Sequence, residues 1–392
     1  MKMIYMDNHA TTQLDPQVLK EMLPYFTEHY GNPASRQHRF GWVAEEAVES
    51  ARNKIAKVLN AEPNEIIFTS GATESNNLAI KGIAEAYAPK GKHIITVSTE
   101  HKSVLDTCVH LSKAGFQVTF LPVDEFGLID LNILEREIRN DTILISVMYA
   151  NNEIGTIQNI SAISRIATER NVIFHTDATQ AIGKIKIDLK NSNIDLLSFS
   201  GHKIYGPKGI GVLYFKNKFP KIKLIPQIDG GGHERGLRSG TLNVPAIVGL
   251  AKALELCDQL MDEENRRLLE YRNKMQSEFF ANIENVFLNG HPTQRISNNL
   301  NLSFLYVEDT ALIMALKDVA VSSGSACTTA NAQVSHVLKA LGLSDNRIHS
   351  AIRFGLGRFN TAQEVDYVIE KVITEVKKLR NLSSYKSKKV KT

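Results

Sequence analysis

Lys203 stands in Ser200-Gly201-His202-Lys203-Ile204-Tyr205-Gly206-Pro207-Lys208-Gly209, directly after the apolar run Leu196-Leu197-Ser198-Phe199. A lysine just past the end of a buried strand, among small and hydrogen-bonding neighbours, can lose its charge by desolvation. The neutral amine is the form that attacks an aldehyde. Taken singly, a lysine in a Gly-rich turn is more often a solvated loop residue. A second segment changes the balance. Phe174-His175-Thr176-Asp177-Ala178-Thr179-Gln180 ends another strand-like run upstream. An acid one strand away from a Schiff-base lysine is what pyridoxal 5'-phosphate (PLP) requires, because its pyridinium nitrogen needs an acidic partner. Lys203 and Asp177 together point to PLP chemistry.

Other segments carry compatible chemistry, each with an ordinary alternative. Thr69-Ser70-Gly71-Ala72-Thr73-Glu74 joins a strand to a helix whose first turn offers free N–H groups, a cradle for phosphate helped by the Thr73 hydroxyl. The same Ser/Thr-x-x-Glu spacing is also a common capping box. Glu100-His101-Lys102 places His101 at a strand end, where an imidazole can stack on a pyridine ring and relay protons; a lone histidine is more often structural. Asn151-Asn152-Glu153-Ile154-Gly155 brings an amide donor in the same fashion. Arg353 is a charge inside the apolar strand Ala351-Ile352-Arg353-Phe354, and burying it demands a carboxylate. A substrate carboxylate and a protein Asp or Glu are equally good candidates.

Three cysteines, Cys108, Cys257 and Cys327, are too few and too scattered for a disulfide framework or a paired metal site. That usage predicts a reducing, cytoplasmic setting. Cys108 and Cys257 fall in helical patterns as small core residues. Cys327 lies in Ser322-Ser323-Gly324-Ser325-Ala326-Cys327-Thr328-Thr329-Ala330-Asn331, with no large side chain to bury it. A thiol on such a stretch can be moved between two places.

These residues need a scaffold that collects strand ends. Apolar or β-branched runs recur at 65–69, 93–98, 117–123, 142–148, 172–175, 196–199 and 211–215, with helical periods between most of them, as at 74–87, 103–114, 129–138 and 160–169. The alternation predicts an α/β fold with a mainly parallel seven-stranded sheet covered on both faces. In such sheets ligands sit outside the strand C-termini, where every motif above falls. A long helical pattern from about 244 to 280 leads away to strands at 300–304, 320–322 and 352–355 and helices at 308–316, 334–341 and 362–379, read as a smaller α+β domain. The expected division is 13–260 for the large domain, and 1–12 with 261–382 for the small domain carrying the cysteine loop. No run approaches the roughly 18 apolar residues of a membrane span, and the first twelve residues lack a signal-peptide pattern. Residues 383–392 hold four lysines and no acid, which accounts for the whole formal charge of +4. Such a tail is expected to be disordered and solvated, with nucleic-acid binding the lesser reading.

The chain resembles the group I cysteine desulfurases, PLP enzymes of the class V aminotransferase type that supply sulfur for iron–sulfur clusters and tRNA thiolation. The likeness runs from Asp7-Asn8-His9-Ala10-Thr11-Thr12 and Gly31-Asn32-Pro33-Ala34-Ser35 to Arg353-Phe354-Gly355-Leu356-Gly357-Arg358. It includes Ser-Gly-His-Lys, Asp-Ala-Thr-Gln, Gly230-Gly231-Gly232-His233-Glu234, Arg238-Ser239-Gly240-Thr241 and the cysteine loop. The resemblance implies PLP fold type I, with Lys203 carrying the cofactor, Asp177 holding the pyridinium proton and Gln180 contacting the ring's 3-oxygen. It implies His101 stacked over the ring, and Ala72, Thr73, Ser200 and His202 on the phosphate. Thr241 would join them from the partner subunit of a homodimer. Asn152 and Arg353 would fix the carboxylate of L-cysteine. Cys327 would take the sulfur as a persulfide and pass it to an iron–sulfur scaffold protein and other acceptors, reaching tRNA only indirectly; no metal site is implied beyond a transient iron–sulfur contact at Cys327. His9 departs from the family's usual Asn or Ser, and no function is attached to it. Another PLP enzyme of this fold, an aminotransferase or selenocysteine lyase, is the competing reading; Cys327 speaks against a transaminase. A non-catalytic sulfur-relay or tRNA-binding scaffold rests only on the tail.

Overall fold

The computed structural model describes residues 3–217, 221–323 and 334–382. Seven strands form the larger sheet: β1 (Ile66–Thr69), β2 (His93–Val97), β3 (Gln117–Leu121), β4 (Thr142–Ser146), β5 (Ile173–Asp177), β6 (Leu196–Ser200) and β7 (Gly211–Phe215). Their order is β1-β7-β6-β5-β4-β2-β3, and all pairs are parallel except those made by β7, which runs antiparallel to both neighbours. The central strands are buried along their whole length, so their sequences read as continuous apolar runs instead of alternating ones.

Successive residues of each strand feed opposite cores. Phe68, Ile95, Ile145, Leu197 and Phe199 pack on one face with the helices Arg39–Leu59 and Ile160–Glu169 and the start of Val244–Asn282. Ile67, Ile94, Leu144 and Leu196 pack on the other with Ala72–Tyr87 and Lys102–Lys113. The helix Arg39–Leu59 is absent from the sequence-based elements. It buries Ala44, Ala47, Val48, Ala51, Ile55 and Leu59 at helical spacing and ends on Asn60 at φ +49°, a left-handed position that asparagine tolerates. The pattern read at 129–138 shortens to Leu131–Glu137, because the Asp130 carboxylate caps the helix by accepting from the Asn132 N–H at 2.8 Å.

The helix Val244–Asn282 has 39 residues and belongs to two cores. Its first third packs on the large sheet, while Leu268, Met275 and Phe279 join a separate cluster. That cluster backs an antiparallel sheet of β8 (Val286–Leu288), β9 (Asn299–Phe304), β10 (Ser322–Ser323) and β11 (Ala351–Gly355), in the order β10-β11-β9-β8. Phe279, Phe304 and Phe354 meet there at ring-centroid distances of 5.6–6.5 Å. The single strand expected at 320–322 is two short ones. Val319–Ala320 pairs in parallel with Ile4–Tyr5, and Ser322–Ser323 pairs with β11, so the chain changes partner at Val321. None of the described helices is long and apolar enough to cross a membrane.

Candidate active site

Five strand ends converge on one cavity of ≈ 570 Å³, within the usual range for small-molecule sites. The segments after β1, β2, β4, β5 and β6 supply Ser70–Glu74, His101, Met148 with Ala150 and Asn152, Asp177 with Thr179 and Gln180, and Ser200 with His202 and Lys203. Lys203 follows β6 while Asp177 ends the adjacent β5, in register with Ser198. The parallel register brings both to the same sheet edge.

Asp177 is 5 % exposed. One carboxylate oxygen accepts from Asn76 Nδ2 at 2.8 Å, the other from the Thr179 N–H at 2.9 Å. Asn76 also donates to Ser103 Oγ at 2.8 Å, and Ser103 Oγ lies 2.8 Å from His101 Nδ1. A chain of polar contacts thus links the acid to the histidine. His101 is the N-cap of the helix Lys102–Lys113, and its Nδ1 accepts from the Ser103 N–H at 3.1 Å. An Nδ1 that accepts a backbone N–H carries no proton, so the neutral ring keeps its hydrogen on Nε2. Burial, foremost, holds this imidazole below its usual range, against the opposing pull of Asp177. Beneath it Glu100 is fully buried, with Oε1 accepting from the Met148 N–H at 2.5 Å. Burial and then the nearby Asp177 push its carboxyl well above the usual range.

At the opposite wall, Gly71 precedes the helix Ala72–Tyr87, whose first N–H groups have no acceptor within the helix. Gly211 is required here. A Cβ on it would lie 2.6 Å from Gly71 Cα, so the β1 end closes on β7 only over a glycine. The capping-box alternative is not formed: the N-cap is Gly71, which has no side chain, and Glu74 accepts instead from the Ser70 N–H at 2.7 Å, its charge met by Arg238 at 2.8 Å. His202 lines the same wall. Burial first, then Lys203 and Lys208, push its imidazole down to about 4.

The amine of Lys203 donates to the carbonyls of His9 at 2.5 Å and Ala10 at 2.7 Å. Residues 7–12 form a strap across the site. Asp7 pairs with Arg353, Asn8 bonds the Gly355 carbonyl, and Thr11 and Thr12 bond His202. His9, to which the sequence attached no role, is wholly buried with Nδ1 3.0 Å from Gln180 Oε1. Its signal in the sequence was only its place two residues after Asp7.

Arg353 is 1 % exposed and does not line the cavity. Its guanidinium meets Asp7 at 2.7 Å and donates to the Asn152 carbonyl at 3.0 Å, so a protein carboxylate already answers the charge. Thr241 is exposed and apart from the cavity of the single chain. The loop leading to it is anchored by Glu234, which accepts from both terminal nitrogens of Arg52 at 2.9 and 2.8 Å and from the Phe68 N–H. Cys327 and the tail 383–392 lie outside the described residues. Cys108 and Cys257 are buried, and burial pushes their thiols up to about 12 and about 11, away from reactivity. Among the described residues no group of three or more His, Cys, Asp or Glu side chains could hold a metal ion.

The donor set fits PLP: a buried carboxylate, a lysine amine just past the end of the adjacent strand, a neutral histidine and a helix N-terminus line one cavity. Comparison with known proteins agrees. The aminotransferase class-V family model matches residues 4–368. The cysteine desulfurase IscS of Methylobacillus flagellatus is 54 % identical over 97 % of this chain and 94 % of its own length. A solved NifS-like protein superposes with a TM-score of 0.90 at 40 % identity, covering 96 % of this chain and 99 % of that one. A structure titled SspA in complex with cysteine superposes at 0.79 with 38 % identity, covering 91 % and 100 %. The chain belongs to the class-V aminotransferase family of PLP-dependent enzymes, on its cysteine desulfurase branch.

Proposed function

We propose that this enzyme converts L-cysteine and the Cys327 thiol to L-alanine and a Cys327 persulfide. The sulfur leaves the substrate's β-carbon for Cys327, and a hydrogen takes its place on that carbon, so atoms and electrons balance. The observation that carries the reading is the meeting of Lys203, Asp177, His101 and the Ala72 helix end around one cavity. PLP bound there supplies an electron sink that acidifies the substrate Cα–H and loosens the C–S bond.

The chain's own groups divide the work between them. Asp177 accepts at both carboxylate oxygens, from Asn76 and Thr179, which orients it to hold a pyridinium N–H. Ala72, Thr73, Ser200 and His202 surround the place for a phosphate, with Thr241 contributed by a second copy in a homodimer. Lys203 carries the cofactor and moves the Cα proton at Nζ, its charged form supported by the His9 and Ala10 carbonyls. His101, neutral with its hydrogen on Nε2, stacks on the ring and exchanges protons with the substrate or the thiol. Asn152 and Arg353 receive the substrate carboxylate; for Arg353 this requires sharing its guanidinium with Asp7. Iron–sulfur scaffold proteins and other cytoplasmic acceptors then take the persulfide sulfur, with tRNA supplied indirectly.

Cys327→Ser tests the assignment. The variant should still bind the cofactor and change its absorbance on adding L-cysteine, while releasing no alanine. Alanine release at the unsubstituted rate would remove Cys327 from the reaction.

A further inference from the structure

We propose that His9 is a positioning residue: its Nδ1–H and its carbonyl together clamp the Gln180 amide, so that Gln180 offers an N–H donor to the cavity. The inference rests on the proposed PLP site and assigns a role to a residue outside the family's usual pattern. The geometry leaves little choice. Gln180 Nε2 donates to the His9 carbonyl at 3.0 Å, while Gln180 Oε1 lies 3.0 Å from His9 Nδ1. Flipping the amide would set two oxygens against each other at the carbonyl. With Oε1 facing the ring, Nδ1 must donate, because two acceptors would otherwise meet.

The other ring nitrogen agrees. His9 Nε2 is buried and has no hydrogen-bond partner among the described residues. A bare acceptor there is tolerated better than an orphaned N–H donor, so the hydrogen belongs on Nδ1. The ring is also held in place, since even a Cβ on Gly355 would come within 2.9 Å of His9 Cδ2. Burial, followed by the positive charges of Arg353, Lys184 and Lys203 that face it, keeps the imidazole neutral.

One N–H of the Gln180 amide is therefore committed to the His9 carbonyl, and the second is left for the cavity that Gln180 lines. A bond to Oε1 polarises the amide and strengthens that second N–H. It would serve an anionic oxygen of the bound ring. Weakening the donor leaves more negative charge on that oxygen. The pH at which the Lys203-linked chromophore loses its proton then rises.

The test is a pH titration of cofactor absorbance in the holoenzyme. His9→Ala should raise the midpoint by about one pH unit, the size expected for loss of one hydrogen bond to the clamp. His9→Asn, whose amide N–H can stand in for Nδ1–H, should restore most of it. In a Gln180→Ala background His9→Ala should add nothing, because the two act as one unit. An unmoved midpoint in cofactor-loaded His9→Ala, or a full shift surviving in the Gln180→Ala background, overturns the clamp. If His9→Ala does not fold, nitrogen NMR of the unsubstituted protein decides: the hydrogen on Nδ1 supports the clamp, on Nε2 it refutes it. Absence of a borohydride-fixed pyridoxyl group on Lys203 would instead sink the proposed function.

Discussion

The two sheets handle their polar side chains in opposite ways. In the larger sheet the polar groups of the site gather beyond the strand ends, on the wall of a cavity that a ligand can enter. In the smaller sheet they lie mid-strand and buried. Asn299, Asn301 and Ser303 alternate with Leu300, Leu302 and Phe304 along β9, and Arg353 pairs across from both Asn301 and Ser322. The apolar alternates feed the phenylalanine cluster, while the polar face takes the loop after β4: Asn299 and Asn301 both donate to the Glu153 carbonyl. Arg295 completes the grip with bonds from Nη2 to the Ile154 and Asn289 carbonyls and to Asn299 Oδ1. Groups at strand ends stay available for chemistry, whereas buried mid-strand groups are already committed to the backbone they hold. The smaller sheet thus sets where Asn152 stands without facing the cavity itself.

Substitutions on the two sides should separate activity from stability. The largest effect belongs to Lys203→Ala at the strand-end wall. Turnover of L-cysteine should fall by at least about 10³-fold, since a covalent anchor and a proton carrier are lost together. The unfolding midpoint of the cofactor-free protein should change little. Peptide mapping after borohydride should find no pyridoxyl group on Lys208, which also lines the cavity; one found there would break the comparison at its root.

On the other side, Arg295→Ala should act mainly on stability. The guanidinium is 5 % exposed, and burial pushes it down to about 9. Removing it orphans three acceptors, so urea unfolding should show a loss of about 3 kcal/mol, less than the sum of three orphaned groups because a buried charge goes with it. KM for L-cysteine should rise with it as the Asn152 loop loosens. A stable variant with unchanged KM would show that the smaller sheet does not position that loop.

The finest discrimination comes from Glu153, buried in the same loop and accepting from Ser335 Oγ at 2.5 Å. Burial pushes its carboxyl up to about 7, against the opposing effects of Ser335 and Arg353. A carboxyl whose folded value lies above its unfolded value binds its proton more tightly when folded. The associated stability is therefore present at low pH and is lost as pH rises from the unfolded value towards about 7. Glu153→Gln should remove about 2 kcal/mol of stability loss between about pH 5 and about pH 7.5. Parallel pH profiles for the two proteins would place Glu153 outside the loop's stability.

The larger sheet was legible in the sequence because its signals are local. A buried parallel strand is a short apolar run, and the residue after it faces the ligand edge whatever its neighbours; Lys203, Asp177, His101 and Thr73 could be assigned on that rule. The helix Arg39–Leu59 builds much of its buried stripe from Ala44, Ala47, Ala51 and Ala56, and alanine marks an apolar period in a sequence less sharply than leucine or isoleucine does. The division at Val321 also escaped, because a run of strand-forming residues does not name its partner.

What the sequence determined by itself is the inventory of reactive groups, the family and the order of strands and helices along the chain. Tertiary structure alone decided which carboxylate meets Arg353, that Glu74 is held by Arg238, and that His9 closes on Gln180. The reason is sequence separation. Asp7 and Arg353 are 346 residues apart, and His9 and Gln180 are 171 apart. No periodicity encodes such pairs; they exist only once two cores have brought the strap, the sheet edge and β11 together.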